Sequence, residues 1–209
     1  MSDETWVEVF DEPRHHRRFE NDCARVYDVR VPPGERTLYH RHTEDTFYIS
    51  ILSAKIEDQT FGASETNTAQ VPVGIAICRP HREEPLIHRV RNLGATPMRM
   101  IGAEVKRSPE VVAEQPLEAF GHTLQWETPR MRAYLLELAP GESTGEIRYD
   151  FGGLSVCLSE GNLAVHDAGG ATRTGASAEG HATWHDGPLR FELTNRGEAP
   201  FRAYVGEWR

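Results

Sequence analysis

The 209-residue sequence is poor in cysteine and has no long apolar run. Its three cysteines, Cys23, Cys78 and Cys157, are too few and too scattered for a disulfide framework or a cysteine-based metal site. No stretch approaches the roughly 18 consecutive apolar residues of a membrane-spanning helix, and the opening residues lack the apolar core of a secretory signal. We therefore expect a cytoplasmic protein with no membrane partner.

The sequence also has fewer basic than acidic residues. The chain has 23 Lys and Arg against 32 Asp and Glu, which gives a formal net charge of −9. Because a net acidic protein repels polyanions, nucleic acid is not expected as a partner. The charged fraction of 26% is ordinary and the apolar residues are spread along the whole chain, so the composition predicts a folded protein.

A helical hydrophobic pattern is scarce as well. The segment 108–120 comes nearest to one, and Pro116 interrupts it. Elsewhere the chain carries short runs that alternate apolar and polar side chains, such as Arg25–Val31 and Phe47–Leu52, with proline and glycine between them. This pattern predicts an all-β protein, either a sandwich or a barrel.

The two halves of the sequence repeat each other. Pro85–Asn92 matches Pro188–Asn195 at an offset of 188 − 85 = 103 residues, and Pro33–Glu35 matches Pro140–Glu142 at an offset of 140 − 33 = 107. Surface loops of different length account for the change in offset. The repeat predicts two β-rich domains of about 100 residues each. The expected boundaries are 1–107 for the first domain, 108–120 for a linker and 121–209 for the second domain.

The first half carries the pattern of a metal site. His40 and His42 lie two apart on a predicted strand, so both imidazoles project from the same face. His88 lies on a later strand and is followed by Asn92. A His-x-His pair alone is more often a surface or hydrogen-bonded pair than a metal site, but the third histidine favours a metal. Three neutral imidazoles suit Fe, Zn, Ni, Cu or Mn.

These segments resemble the two signature motifs of the cupin superfamily. Gly34 followed after five residues by His40-x-His42 is similar to the opening of the first motif, and His88 followed after three residues by Asn92 is similar to the end of the second. With the repeat, the whole chain resembles a bicupin. The resemblance implies two tandem cupin barrels, of the double-stranded β-helix or jelly-roll type. It also implies one divalent transition metal bound by the three histidines.

The glutamate of the first cupin motif is missing from this sequence. Its position falls at Thr46 or Phe47, and neither side chain can replace a carboxylate. The nearest acid, Glu44, shares strand parity with the histidine pair and is either a ligand or catalytic group or a solvated loop residue. Tyr48 has the same parity and is a second candidate catalytic residue, or else barrel filler. We expect a three-histidine site with open coordination positions.

The second half has lost all three expected ligands together. By the repeat offsets, the histidine positions become Ile147, Tyr149 and Phe191. Such a loss is what an abandoned metal site leaves in one of two duplicated barrels. We therefore predict that the second barrel is structural and that these three side chains fill it.

The seven remaining histidines carry little signal. His15 and His16 lie in a basic cluster and are expected on a solvated face or at the start of a strand. His81 is expected at the mouth of a pocket. We predict that these seven residues are incidental to the metal.

The resemblance implies a metal-dependent enzyme that acts on a small organic molecule. Because three-histidine sites are found in several cupin oxygenases, a non-haem iron dioxygenase is the leading hypothesis, with Fe favoured over Zn, Ni, Mn and Cu. An isomerase or lyase at the same metal is an alternative, and so is a non-catalytic cupin that binds a small ligand. The fold alone cannot choose between them. A monomer and a homodimer both fit the sequence.

Overall fold

The computed structural model describes residues 5–209, so the first four residues of the expected N-terminal domain lie outside the described residues. The chain divides into two compact units, one ending at Lys106 and the other spanning Arg107–Arg209. Within 5–209 every regular element is a β-strand. The predicted all-β fold class is confirmed, and no helix there is long and apolar enough to cross a membrane.

The first unit is built from two five-stranded sheets, with orders β1-β4-β9-β6-β7 and β2-β3-β10-β5-β8. The β1 and β4 strands pair in parallel and the other neighbours are antiparallel. The strands are β1 (Val7–Glu8), β2 (His15–Glu20), β3 (Ala24–Val31), β4 (His40–His42), β5 (Thr46–Leu52), β6 (Ala54–Thr60), β7 (Asn67–Val71), β8 (Ala76–Arg79), β9 (Leu86–Asn92) and β10 (Met98–Val105).

The second unit is built from a five-stranded and a four-stranded sheet, with orders β11-β12-β19-β14-β17 and β13-β18-β15-β16. All of these neighbours are antiparallel. The strands are β11 (His122–Glu127), β12 (Met131–Leu138), β13 (Ser143–Tyr149), β14 (Gly153–Cys157), β15 (Gly161–Asp167), β16 (Thr172–Ser177), β17 (Ala182–His185), β18 (Leu189–Asn195) and β19 (Phe201–Trp208).

The two units repeat one strand pattern, and the register of paired strands agrees with the sequence offsets. In the first unit β4 pairs with β9 and places His40 opposite His88. In the second unit β13 pairs with β18 and places Ile147 opposite Phe191. Two of the three ligand positions are therefore cross-strand partners in both units, with imidazoles in one unit and apolar side chains in the other.

The asparagine that ends the second motif has a structural role in both units. The buried Asn92 Nδ2 donates to the carbonyl oxygens of Val31 and Thr96 at 2.9 and 2.8 Å, and its Oδ1 accepts from Gly94 N at 2.9 Å. Asn195 makes the equivalent three bonds, with Leu138, Ala199 and Gly197. Because buried amides need partners, each asparagine fixes the turn between the last two strands of its unit.

A glycine makes room for a large aromatic ring in the first unit. Gly102 on β10 lies opposite Tyr27 on β3, and a Cβ at Gly102 would lie 2.4 Å from two ring carbons of Tyr27. The absence of a side chain lets the Tyr27 ring lie across β10. That ring is fully buried and stacks on His15, with centroids 5.0 Å apart. This packing places His15 on the inner side of the sheet.

The segment 108–120, expected as a linker, lies in the second unit and contains no regular element. Its apolar residues Ala113, Leu117 and Ala119 pack against the core of that unit. The same core contains Ile147 and Tyr149 and contacts Phe191, as the repeat predicts. The three cysteines, all within residues 5–209, form no disulfide bond.

Candidate metal centre

Three histidines converge on one point in the first unit. His40 and His42 are the two ends of β4 and project from the same face of the strand, while the neighbouring β9 supplies His88. Their ligand nitrogens all lie within 4.8 Å of one another, and His42 Nε2 is 3.2 Å from His88 Nε2. Two nitrogens bound at about 2.1 Å and at right angles to one ion would lie about 3 Å apart, so the pair fits a metal.

The second ring nitrogen of each histidine is already engaged. His40 Nδ1 donates to the carbonyl oxygen of Leu38 at 2.9 Å, and His88 Nδ1 lies 2.5 Å from Asp58 Oδ1. Because these oxygens only accept, both rings carry their proton on Nδ1 and a lone pair on Nε2. His42 Nδ1 lies 3.0 Å from the Tyr48 hydroxyl. His40 and His88 therefore offer a lone pair at Nε2, and His42 Nε2 lies 3.2 Å from His88 Nε2 at the same point. This is the orientation that metal-binding histidines receive from their hydrogen-bond partners.

Asp58 contacts His88 and was not among the site residues expected from the sequence. It lies on β6, which pairs with β9, and its carboxylate lines the cavity beside His88. Nothing in the local sequence marks it, because the contact depends on β6 and β9 being neighbours although they are distant along the chain. Asp58 lies two residues after Ile56 on β6, so both side chains project from the same face of the strand, and both line the cavity.

His15 belongs to the site, which corrects the expectation that it is incidental. Its ring packs edge-on against His40, with centroids 4.6 Å apart. Its Nδ1 donates to the carbonyl oxygen of Val9 at 2.8 Å, so the lone pair is on Nε2. The sequence placed His15 in a basic cluster, but only His15 of the adjacent pair is buried, since successive strand residues face opposite sides.

A hydrogen-bonded chain links one metal-facing histidine to His81. The Tyr48 hydroxyl lies 3.0 Å from His42 Nδ1 and 3.1 Å from His81 Nε2. The His81 ring also stacks on the His42 ring at 5.0 Å. Tyr48, expected as a candidate catalytic residue, therefore lies beside the metal-facing set, and His81 lines the cavity as expected but also touches a ligand position.

The histidines open onto a cavity of about 640 Å³. This is the size of a typical small-molecule site and far too small for a polymer. Its wall is mostly apolar and includes Val29, Ile56, Ala69, Val71, Ile77, Leu86, Val90, Met98 and Met100.

Comparison with known proteins finds likeness in structure alone. No protein-family model matches the chain, and no curated protein sequence matches it. A salicylate 1,2-dioxygenase from Pseudaminobacter salicylatoxidans matches with a TM-score of 0.64 at 14% identity, over 92% of this chain and 75% of that one. A variant of that enzyme in complex with gentisate matches with a TM-score of 0.65 at 13% identity, over 96% and 75%. A variant oxalate decarboxylase from Bacillus subtilis gives 0.60 at 12% identity, over 92% and 74%.

These neighbours are cupin structures. The chain has the cupin fold. Within this fold, the three-histidine cluster is the one group of three or more potential ligands found among residues 5–209. The donor set of three imidazoles fits a single divalent metal ion.

Glu44 is not brought to the three histidines. It lies in the turn between β4 and β5 and does not line the cavity. Its Oε2 accepts from Arg82 Nε at 3.2 Å and from Arg82 Nη2 at 2.6 Å. This arrangement agrees with the loop-residue alternative and gives no support to a ligand role.

Burial favours the neutral form of three of the cavity histidines, His15, His40 and His42. It lowers the pKa of His40 to about 2, with the nearby His88 and His15 adding to the effect. Burial likewise holds the pKa of His42 well below its usual range and lowers that of His15 to about 4. Because a metal binds the neutral imidazole, these rings need not lose a proton near pH 7 before they coordinate.

Proposed function

We propose that this chain is a metal-dependent cupin enzyme that acts on a small organic molecule as a non-haem iron dioxygenase. The observation that carries the proposal is the set of three Nε2 atoms turned to one point, each ring held through its Nδ1 by another group. Imidazole is a good ligand for Fe(II), and the site has no protein carboxylate among its three ligands. The likeness to a dioxygenase structure adds support.

When bound, the iron would supply a Lewis acid and a redox partner for O2. The chain's own residues do the rest. His40, His42 and His88 occupy one side of the ion position and leave the cavity side open to substrate. The apolar wall binds the body of the substrate and excludes bulk water.

In this scheme the Tyr48 hydroxyl accepts one hydrogen bond and donates another. With His42 ligating through Nε2, its Nδ1 carries the proton and donates to the Tyr48 hydroxyl oxygen. The Tyr48 hydroxyl then donates to His81 Nε2. This direction of donation fixes the tautomer of His42 and leaves His81 Nδ1 as the donor toward the Glu84 carbonyl oxygen, 3.4 Å away.

We further propose that the chain is a bicupin whose second barrel no longer binds metal. The support is the matching register, in which Ile147 and Phe191 replace the cross-strand pair His40 and His88. Apolar side chains in those positions remove every ligand at once, so the second barrel would serve stability rather than chemistry.

A second candidate function is lyase or isomerase chemistry at the same metal. The likeness to an oxalate decarboxylase structure favours keeping it, since the cupin fold is shared by neighbours of both kinds. A cupin that binds a small ligand without turnover is a third candidate and uses the same cavity.

Metal analysis tests the proposal. The purified wild type is expected to hold about one equivalent of transition metal, and His40→Ala and His88→Ala are expected to lose it. His166→Ala in the second unit is the matched control and should keep the metal, since the His166 side chain bonds Thr172 on β16 and does not line the cavity. Fe(II)-dependent oxygen uptake with diketones, catechols and thiols then separates a dioxygenase from a lyase or isomerase. A wild type that binds no transition metal between about pH 7 and pH 8 would rule out the enzyme.

A further inference from the structure

One arginine faces the metal cavity. The β8 strand pairs with β5, so that Arg79 lies opposite Thr46 and Ile77 lies opposite Tyr48. Because alternate residues of a strand share a face, Arg79 projects on the same side as Ile77, and both line the cavity. Burial lowers the pKa of His81, and the positive charge of Arg79 adds to that effect. The guanidinium is therefore close enough to the cavity to act on groups inside it.

The Arg79 side chain makes no ion pair or hydrogen bond within residues 5–209, in contrast to two other arginines of this unit. Arg25 pairs with Glu104 at 3.2 Å and Arg82 pairs with Glu44 at 2.6 Å. No ion pair or side-chain hydrogen bond of this kind engages Arg79. A guanidinium offers five donors in a planar fork that matches a carboxylate, so an unpaired one beside a cavity is suited to an anionic ligand.

The two acidic residues that line the cavity cannot pair with an anionic ligand. The Asp58 carboxylate is engaged with His88. Glu84 is exposed. Among the described residues that line the cavity, Arg79 is the one arginine or lysine. The remaining wall is largely apolar, so it can accept the uncharged body of a ligand but cannot neutralise its charge.

We propose that the metal cavity binds a small organic carboxylate, with the carboxylate paired to Arg79 and the apolar body against the cavity wall. This inference deepens the proposed function and rests on it for the chemistry at the metal. The pairing itself does not need the metal, because Arg79 is not one of the ligand histidines. If the carboxylate is bound by Arg79, the other end of the ligand would lie toward the three histidines.

Calorimetric binding of three probes to the full-length, Zn(II)-loaded protein tests the proposal. The probes are benzoate, its neutral analogue benzamide, and acetate, which lacks the apolar body. Wild type is expected to bind benzoate about tenfold or more tightly than either comparison probe. Arg79→Gln should lose about tenfold in benzoate affinity and leave benzamide unchanged. Arg36→Gln, which removes an equal charge from an exposed arginine outside the cavity, should behave as wild type.

Equal affinity of wild type for benzoate and benzamide would overturn the inference, and so would unchanged benzoate affinity in Arg79→Gln. Loss of benzoate binding in His40→Ala but not in Arg79→Gln would overturn it too, since the metal would then hold the carboxylate. The same titrations in the presence of a chelator keep the two proposals separable. An Arg79-dependent preference for benzoate in a protein that binds no metal would support the anion site while the proposed enzyme fails.

Discussion

The Oδ1 atom of Asp58 lies 2.5 Å from Nδ1 of His88, on the side of the imidazole ring away from the metal-facing Nε2. A carboxylate in this position holds the ring in one orientation and one tautomer, and it increases the basicity of the ligating nitrogen. In this sequence the first motif lacks its glutamate. The cavity nevertheless contains an acidic residue, Asp58, which comes from a different strand and contacts a histidine.

Asp58→Asn is expected to weaken metal binding by about 10- to 100-fold, because the amide can neither hold the Nδ1 proton as firmly nor raise the basicity of Nε2. Competition with a chromophoric chelator measures the affinity. Glu57→Gln is the matched control, since it removes one acidic charge from the adjacent residue on the same strand and lies outside the cavity. Equal loss in both variants would mean that general charge, and not the contact with His88, controls affinity.

Tyr48→Phe is expected to weaken metal binding by about 2- to 10-fold, since it removes one hydrogen bond to His42 and one to His81 while keeping the ring. The effect should be smaller than that of Asp58→Asn, because a neutral hydroxyl stabilises the ligand less than a carboxylate does. The same chelator competition applies. Tyr39→Phe removes a hydroxyl outside the cavity and should leave affinity unchanged; a matching loss there would contradict the orienting role of Tyr48.

Gly102→Ala is expected to destabilise the protein by about 1–3 kcal/mol, because the new Cβ would meet the Tyr27 ring at 2.4 Å and the ring is fully buried. Urea denaturation followed by circular dichroism gives the free energy of unfolding. Gly175→Ala on β16 is the control, since nothing lies within 4 Å of its Cβ position, and it should be neutral or stabilising. Comparable losses in both variants would show that the Tyr27 contact is not the cause.

Burial raises the pKa of Glu104 from its ordinary value of 4.5 to about 7, against the lowering effect of Arg25. Between these values the unfolded chain loses the proton while the folded chain keeps it. Stability from this group is therefore fully present below about pH 4.5 and is lost as the pH rises through about 7. Glu104→Gln should remove that dependence, so its free energy of unfolding should increase relative to wild type across this window.

Urea titrations of both proteins at a series of pH values, with metal removed, give the difference between the two curves. The histidines contribute equally to both proteins and cancel in this difference. A difference that is flat with pH, or that falls as the pH rises, would contradict the raised pKa.

Periodicity and repetition predicted much of this molecule. The alternation in runs such as Phe47–Leu52 predicts strands because a pleated strand has two faces, and β5 spans Thr46–Leu52. The repeat offsets predicted which residues replace the histidines, and the structure pairs Ile147 with Phe191 in the same register as His40 with His88. These features are local, or depend on comparing the chain with itself, so a single sequence contains them.

The residues that contact the three histidines could not be predicted from periodicity or from the repeat. Asp58 reaches His88 because β6 and β9 are neighbours in a sheet, and His15 reaches His40 because Tyr27 packs across Gly102. Neither contact leaves a periodic or motif signal. Parity alone could not choose between the two alternatives for Glu44, because this residue lies past the end of β4, where the alternation of faces no longer holds.

By itself, the sequence determined the strands, the internal repeat and the three histidines that converge on one point, because each depends on spacing along the chain. Only the tertiary structure decided which groups orient those histidines and what shares their cavity. Hydrogen bonds such as that between Asp58 and His88, and the position of Arg79 at the cavity, depend on which strands become neighbours in the sheets. Strand order is set by the packing of the whole unit, and it brings together side chains whose separation in sequence carries no information about their contact.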